Sequence, residues 1–357
     1  MKRPETITAL LAALILSGIT AASAQNGLSG LSTAQKEIYG DNDLLNLSDV
    51  NGKGGSVTSA IPPELSAKLA ASADSVVALF KTEDIAANGR LTLQPFKTSL
   101  DETLSLCPGS AFENEKTGSF CSGSLIGSNL ILTAGHCVRT LDECMQTKVV
   151  FGWSIKEKDG NTPETVNTEE VYSCKSVLSA YYDDDTIENL PAHKKQLDYS
   201  IIVLDRAVKN HKPLEFNRGK IATGTKLAVI GHPAGLAQKI IPGGKVRTNT
   251  DPIFFVTDLD TFGGNSGSPV FNISTMKVEG VLVRGGTDFI EGETASGQRC
   301  MQYHVSAQEE GKGEDVTRSS VVVKYLERKI AASKKKQVNT TGSARRAKSV
   351  ISSALGK

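Results

Sequence analysis

A series of short apolar runs, separated by turn residues, constrains this sequence more than any other feature. The runs are rich in β-branched side chains and bounded by Gly, Asn, Asp or Pro; they occupy residues 75–80, 124–126, 130–132, 149–151, 199–204, 226–230 and 280–283. Strands and turns alternate in this way in all-β barrels and sandwiches. The sequence therefore predicts an all-β fold.

Length and charge set further bounds on the chain. Its 357 residues suffice for one large domain or two ordinary ones, and 40 basic against 39 acidic side chains leave a net charge of +1. A nearly neutral chain has no overall field that attracts nucleic acid or an anionic membrane, so we expect neither as a partner. The charges of two segments cancel in this total. Residues 25–330 hold 31 basic against 38 acidic side chains, and residues 331–357 hold seven basic and none acidic.

The first 24 residues have the layout of a secretory signal peptide. Lys2 and Arg3 precede an apolar run at 10–19, and the small residues Ala22-Ser23-Ala24 suit a signal peptidase. The run is too short to span a bilayer, which needs about 20 apolar residues. A helix buried in the fold would not need the charged start and the small-residue end. We therefore expect residues 1–24 to be a signal peptide, the mature chain to be secreted or periplasmic, and no segment to span a membrane.

The segment after the leader, residues 25–74, is rich in Gly, Ser and Asn and poor in aromatic residues. This composition is typical of a linker or pro-segment. We expect a pro-segment or N-terminal extension, with a short helix at residues 64–71 after the Pro62-Pro63 pair.

The C-terminal region shows the one helical pattern in the sequence. Val322, Leu326 and Ile330 recur every four residues and predict a terminal helix over 320–332. The basic tail, residues 331–357, is expected to be flexible. It either keeps the chain soluble or binds an anionic partner, and the first interpretation is favoured.

Six cysteines, an even number, predict disulfides in an exported chain. Cys121 and Cys137 flank a predicted hairpin and could form a disulfide that links its two strands. The other four can pair in three ways, among which the sequence does not choose: Cys107, Cys144, Cys174 and Cys300. Neither C-x-x-C nor H-E-x-x-H occurs, so no metal site and no cofactor are expected. The acidic triplet at 183–185 could bind calcium, but a solvated loop is the favoured interpretation.

His136 stands out among the histidines because of its position. It ends the strand-like run Leu130-Ile131-Leu132-Thr133 and has small residues before it and a cysteine after it. A general base needs this setting, at the rim of a rigid element with little bulk around it. His193, His211, His232 and His304 lack it, and we interpret them as surface or core residues.

Ser266 lies in a glycine-rich loop, Phe262-Gly263-Gly264-Asn265-Ser266-Gly267, directly before a predicted strand. Such a loop can turn the backbone N–H groups of Gly264 and Ser266 toward one point, which forms an oxyanion hole for a reacting carbonyl. A serine hydroxyl is a weak nucleophile without a base, and His136 is the candidate base.

Asp198 begins the apolar run Tyr199-Ser200-Ile201-Ile202-Val203-Leu204. Burial of an acid at this position is costly unless a partner offsets it, and the second ring nitrogen of His136 could be that partner. Asp205 at the other end of the run is the runner-up, and we interpret it as a solvated strand end.

The motifs TAGHC, DYSIIVL and GNSGSP, in this order, resemble those of chymotrypsin/trypsin-like serine peptidases. The bacterial branch that includes the V8-type glutamyl endopeptidases is most similar. The resemblance implies two antiparallel six-stranded β-barrels, at about 75–208 and 219–305, in a peptidase domain of residues 75–330 that ends in the terminal helix. His136 and Asp198 would come from the first barrel and Ser266 from the second.

The resemblance also implies a monomeric serine endopeptidase that acts on proteins or peptides through an acyl-enzyme. Residues 38–43 are similar to the mature amino terminus of the glutamyl branch, which would place an activation cleavage near Ile38. A later cleavage, near Ala73, is the alternative. Asn265 lacks the charge with which animal family members bind a new amino terminus. The alternative function is a catalytically inactive homologue that acts as a binding module.

The specificity pocket implied by the resemblance contains Asp260 and Thr261 at its floor and Arg284 on its wall. Asp260 would either favour Lys and Arg side chains of the substrate or serve as a structural acid paired with Arg284. Arg284 could instead bind an acidic side chain of the substrate, but cleavage after basic residues is the favoured interpretation. The histidine that glutamyl relatives carry in this wall is missing from residues 282–286, so a strict glutamate preference is not expected.

Overall fold

The computed structural model of the protein describes residues 38–50, 61–96, 105–158, 160–182 and 197–338. The predicted signal peptide, the acidic triplet at 183–185, His193 and the tail from residue 339 onward lie outside these residues.

The described chain is mostly strand. In chain order the strands are β1 Ile38–Tyr39, β2 Leu45–Asn46, β3 Val76–Lys81, β4 Gln94–Pro95, β5 Lys116–Thr117, β6 Cys121–Gly127, β7 Leu130–Thr133, β8 Thr147–Phe151, β9 Val171–Tyr181, β10 Tyr199–Leu204, β11 Lys226–Gly231, β12 Lys239–Thr248, β13 Phe254–Thr257, β14 Pro269–Asn272, β15 Val278–Arg284, β16 Phe289–Glu293, β17 Arg299–Tyr303, β18 Val305–Ser306 and β19 Glu314–Arg318. The helices are α1 Leu47–Val50, α2 Pro63–Ala73, α3 Leu141–Met145 and α4 Ser319–Val338, and 3₁₀ turns occur at Thr82–Asp84, Thr168–Glu170 and Pro233–Gly235.

Two antiparallel six-stranded barrels confirm the predicted fold class. The first barrel closes in the order β10-β7-β6-β3-β8-β9, and the second in the order β11-β14-β15-β19-β13-β12, where β12 pairs back onto β11. Each barrel has its own buried apolar core. Full closure leaves no unpaired strand edge in either barrel, which gives the site rigid walls.

The predicted end of the second barrel near residue 305 is wrong. Its sixth strand is β19, which pairs with β13 and β15, so the barrel extends to Arg318. β16 and β17 instead form a separate hairpin. The sequence of β19, Glu-Asp-Val-Thr-Arg, has no apolar run because its buried side chains are largely polar.

The terminal helix α4 starts one residue before the predicted 320 and continues to Val338. It therefore takes in the first eight residues of the tail that we expected to be flexible. Lysine and glutamine are good helix formers, so residues 333–338 contain nothing that ends a helix. Val322 and Leu326 pack into the core of the first barrel. Among the described residues, no helix has both the length and the apolar character that crossing a membrane requires.

The N-terminal extension is more closely packed than its linker-like composition predicts. β1 pairs with β18 and β2 with β12, both beside the second barrel, and Ile38 is only 1% exposed. α2, predicted at 64–71, buries Leu69 completely. The linker prediction was wrong for residues 38–46 because main-chain hydrogen bonds hold them in place. Such bonds leave no apolar pattern in the sequence.

Candidate active site

His136 and Asp198 meet where β7 ends and β10 begins, two strands that pair side by side. The Nδ1 atom of His136 lies 2.8 Å from Oδ2 of Asp198. The other carboxylate oxygen, Oδ1, accepts the backbone N–H groups of Gly135 at 2.5 Å and His136 at 3.2 Å. The Asp198 carboxylate is only 3% exposed, and these three hydrogen bonds offset the free-energy cost of burying its charge.

Asp205, the runner-up acid, lies at the opposite end of β10. It accepts the N–H of Ser173 at 3.2 Å and contacts its neighbour Arg206. The structure therefore brings Asp198, not Asp205, to His136.

The loop before β14 gives Ser266 an unusual backbone environment. Gly264 has a φ of +91°, a region that side-chain-bearing residues rarely adopt, and a Cβ atom there would lie 2.6 Å from the carbonyl oxygen of His232. The carbonyl of Gly263 accepts the N–H of Ala234 at 2.5 Å. In a trans peptide the C=O and N–H groups point in opposite directions, so the N–H of Gly264 points away from Ala234.

Contacts across the seam between the barrels bring the serine loop to His136. The carbonyl of Ser266 accepts the N–H of Ser122 in β6 at 2.8 Å. A Cβ atom on Gly267, which also has a φ of +91°, would lie 3.0 Å from the backbone nitrogen of Ala134, two residues before His136. The hydroxyl of Thr317 in β19 donates to the carbonyl of Asp198 at 2.8 Å. The three predicted catalytic residues thus lie along one seam.

The disulfide between Cys121 and Cys137 links the start of β6 to the residue after His136. The two sulfurs and a His136 ring nitrogen lie within 4.8 Å of one another, a spacing that could suit a metal ion. Both sulfurs are committed to the disulfide, so they are not thiolate ligands. The four cysteines left open by the sequence pair as Cys107–Cys300 and Cys144–Cys174.

Asp260, the predicted floor of the pocket, binds the N-terminal extension. Its two carboxylate oxygens accept the backbone N–H groups of Tyr39 at 2.8 Å and Asp43 at 2.9 Å. Burial, together with the charges of Asp43 and Asp258, raises the pKa of Asp260 to about 7, although the two hydrogen bonds act in the opposite direction.

Thr261 and Arg284 have partners that the sequence did not indicate. The hydroxyl of Thr261 donates to Oε2 of Glu314 at 2.6 Å, and Glu314 is fully buried in β19. Nε of Arg284 lies 3.9 Å from a carboxylate oxygen of Asp315. Sequence reasoning missed Glu314 because an acid in a polar run is interpreted as exposed.

His211 and His232, which we interpret as surface or core residues, have structural surroundings. Burial lowers the pKa of His232 to about 3, so its ring stays neutral, and Nδ1 lies 3.1 Å from the carbonyl of Leu236. His211 lies between the carboxylates of Asp74 and Glu170, which raise its pKa despite the opposing effect of burial.

Replacing Asp260 by Asn should change how stability depends on pH. In the native state the pKa of Asp260, about 7, lies above its value in the unfolded chain. Asp260 therefore ionises at a lower pH in the unfolded chain than in the native protein. As a result, the free energy of unfolding of the wild type falls as pH rises toward 7. Asparagine does not ionise, and the unfolding temperature of Asp260→Asn relative to wild type should rise between about pH 5 and about pH 8. Thermal unfolding at both values checks this. Asp41→Asn, at an exposed position in the same extension, is the control. A difference from wild type that does not change with pH for Asp260→Asn would contradict the prediction.

The chain is similar to one protein family and to several solved structures. Residues 121–281 match the family model of the trypsin-like peptidase domain. The active form of the Rv3671c protease from M. tuberculosis is 16% identical, with a TM-score of 0.38 over 73% of this chain and 82% of that one. A serine endoprotease from Yersinia pestis is 15% identical, with a TM-score of 0.41 over 75% and 67%. A Glu endopeptidase is 18% identical, with a TM-score of 0.37 over 70% and 96%.

The family match covers the segment that contains His136, Asp198 and Ser266. The two closed barrels are the fold that the sequence resemblance implied. Residues 121–281 are therefore identified as a trypsin-like peptidase domain, set within a chymotrypsin-like fold of two barrels.

Proposed function

We propose that the protein is an exported serine endopeptidase with Ser266 as nucleophile, His136 as general base and Asp198 as the acid that orients His136. The observation that carries the proposal is the hydrogen bond of 2.8 Å between His136 and Asp198, on the seam where β6 holds the loop of Ser266. A buried acid that fixes the imidazole leaves its other nitrogen, Nε2, to take a proton.

The reaction would follow from these roles. The hydroxyl oxygen of Ser266 attacks the scissile carbonyl while Nε2 of His136 takes its proton, and the N–H groups of Gly264 and Ser266 stabilise the oxyanion. His136 then gives the proton to the leaving amine, which departs and leaves an acyl-enzyme. A water molecule activated by His136 hydrolyses this ester and restores the serine hydroxyl.

Export is the second part of the proposal. Three disulfides favour an oxidising compartment, as does the signal-like leader at residues 1–24. The protein would act outside the cytoplasm, in the periplasm or the medium, on protein or peptide substrates.

A fluorophosphonate probe tests the function directly. The probe should label the mature wild-type protein at Ser266, and the protein should hydrolyse a mixed peptide library. Prior heat denaturation should prevent labelling, because the probe reacts with an activated serine only. Folded, processed protein that neither reacts nor cleaves would favour the alternative of an inactive homologue that binds ligands.

We further propose that the specificity pocket favours Lys and Arg side chains. The hydroxyl of Thr261 donates to Glu314 at 2.6 Å, so a fully buried carboxylate lies beside a predicted pocket residue. Buried carboxylates attract a cationic side chain far more strongly than exposed ones do.

Glu314→Gln should lower kcat/KM for cleavage after Lys or Arg by about 10- to 100-fold relative to cleavage after neutral residues, since a charge-assisted hydrogen bond is lost. Cleavage profiling of a peptide mixture measures this ratio. Glu279→Gln is the matched control, because Glu279 is a buried acid of β15 that accepts hydrogen bonds from Asn217 and Asn272. Wild-type cleavage without enrichment of Lys or Arg would refute the preference and leave the proposed function intact.

A further inference from the structure

Ser122 is the second residue of β6, and both its main chain and its side chain form hydrogen bonds to the second barrel. It is fully buried. Its N–H donates to the carbonyl of Ser266 at 2.8 Å, and its carbonyl accepts the hydroxyl of Thr133 at 2.7 Å. Its hydroxyl donates to the carbonyl of Gly264 at 2.8 Å and accepts the N–H of His232 at 2.8 Å. One first-barrel residue therefore makes three hydrogen bonds to the second barrel.

The hydroxyl of Ser122 forms hydrogen bonds to two segments and so fixes the distance between them. One is the serine loop, reached at Gly264. The other is the 3₁₀ turn at Pro233–Gly235, reached at His232, and this turn supplies the Ala234 N–H that the Gly263 carbonyl accepts at 2.5 Å. The orientation of the Gly263–Gly264 peptide thus depends on the spacing between the turn and the loop.

Only a group that donates and accepts at once can occupy this position. A hydroxyl has one donor and two acceptor sites, which match the two bonds observed here, whereas an aliphatic side chain offers neither. Both contacts are buried, so their loss would leave the Gly264 carbonyl and the His232 N–H without the partner that they have here, and water would have to replace it.

We propose that Ser122 is a positioning residue for the oxyanion-binding peptide. This inference rests on the proposed function, in which the N–H of Gly264 stabilises the transition state. By fixing the distance between the His232 turn and the serine loop, the Ser122 hydroxyl keeps that N–H aimed at the developing negative charge. The effect reaches the reacting atoms through Gly264, since Ser122 itself does not touch the substrate.

A purely structural role would have different consequences. The bond from the Ser122 N–H to the Ser266 carbonyl belongs to the main chain, so it persists when the hydroxyl is removed. The serine loop would then remain attached to β6 while the Gly263–Gly264 peptide loses its fixed orientation. A positioning role therefore predicts a defect in transition-state binding, and a structural role predicts only a lower unfolding temperature.

The experiment compares Ser122→Ala with Ser124→Ala in the mature protein. Ser124 lies two residues along the same strand, is 1% exposed, and its hydroxyl has no hydrogen-bond partner among the described residues. For Ser122→Ala we expect kcat to fall about 10- to 100-fold with little change in KM. Binding of a peptide aldehyde, which mimics the tetrahedral state, should weaken by the same factor, and binding of the peptide product should not. Ser124→Ala should change none of these quantities more than about twofold.

Ser122→Thr provides the rescue, because threonine keeps the hydroxyl and should restore most of kcat. Thermal unfolding of each variant, together with active-site titration by the fluorophosphonate, establishes that the compared molecules are folded. Equal kcat and aldehyde affinity in Ser122→Ala and Ser124→Ala would overturn the inference. A wild-type protein that neither cleaves nor labels would refute the proposed function instead, so the two failures are distinguishable.

Discussion

Replacing Ser266 by Ala is expected to lower kcat on the order of 10⁶-fold, the largest effect of any single change proposed for this protein. The substitution removes the oxygen that would attack the substrate. The loop keeps its shape, because its hydrogen bonds to Ser122 and Ala234 use main-chain carbonyls. The variant should therefore fold as the wild type does, bind peptides, and fail to react with the fluorophosphonate.

The control for this variant is Ser268→Ala, two residues along the same loop. Ser268 is also fully buried, and its hydroxyl donates to the side chain of Asn265 at 3.3 Å. We expect less than about a tenfold loss of kcat from this change, because one neutral hydrogen bond contributes only about 1 kcal/mol. Steady-state kinetics on one peptide substrate compare the two variants. Appreciable turnover or labelling of Ser266→Ala would assign the nucleophile to another residue.

Replacing Asp198 by Asn should lower kcat about 10⁴-fold, the second-largest effect, through the tautomer of His136. In the wild type Oδ1 accepts two backbone N–H groups and Oδ2 faces Nδ1 of His136. An asparagine would keep its oxygen on the two N–H groups and turn its amide N–H₂ toward Nδ1. The imidazole would then carry its proton on Nε2 and could not accept one from Ser266.

Asp205→Asn, at the other end of β10, is the matched control and should retain close to wild-type kcat. Both variants are measured by kcat/KM on the same peptide, with thermal unfolding as the test of folding. If Asp198→Asn kept more than about a tenth of wild-type kcat, Asp198 would not orient the base, since tautomer control accounts for most of the expected loss.

The sequence was sufficient for the fold class and for the local setting of the catalytic candidates. His136 and Asp198 could be recognised because His136 follows one apolar strand and Asp198 precedes another, positions where a polar residue needs a specific reason. Because β7 and β10 are antiparallel neighbours, the end of β7 and the start of β10 lie at the same rim, which brings the two residues together. The glycines around Ser266 marked a tight backbone turn, and the left-handed φ of Gly264 supplies the physical reason for it.

Features that depend on distant contacts could not be predicted. Glu314 and Thr317 lie in β19, a strand without an apolar run. Hydrogen bonds to partners far away in sequence offset the cost of burying these polar side chains, so no local pattern marks the strand as buried. The extension at residues 38–46 resembles a linker for a similar reason, since Asp260 holds it through main-chain N–H groups. The role inferred for Ser122 depends on two backbone groups more than 100 residues away, which no local pattern encodes.

The packing of α4 affects the order in which parts of this chain can complete their folding. Val322 and Leu326 complete the core of a barrel whose strands all lie before residue 205, and Thr317 bonds to Asp198 from the same late stretch of chain. Contacts over such long sequence separations form slowly and only once both partners have been made. The first barrel therefore cannot complete its core until residues 322–326 have been made. In the proposed function, the surroundings of Asp198 would consequently be complete only after residues 317–326 have packed against the first barrel.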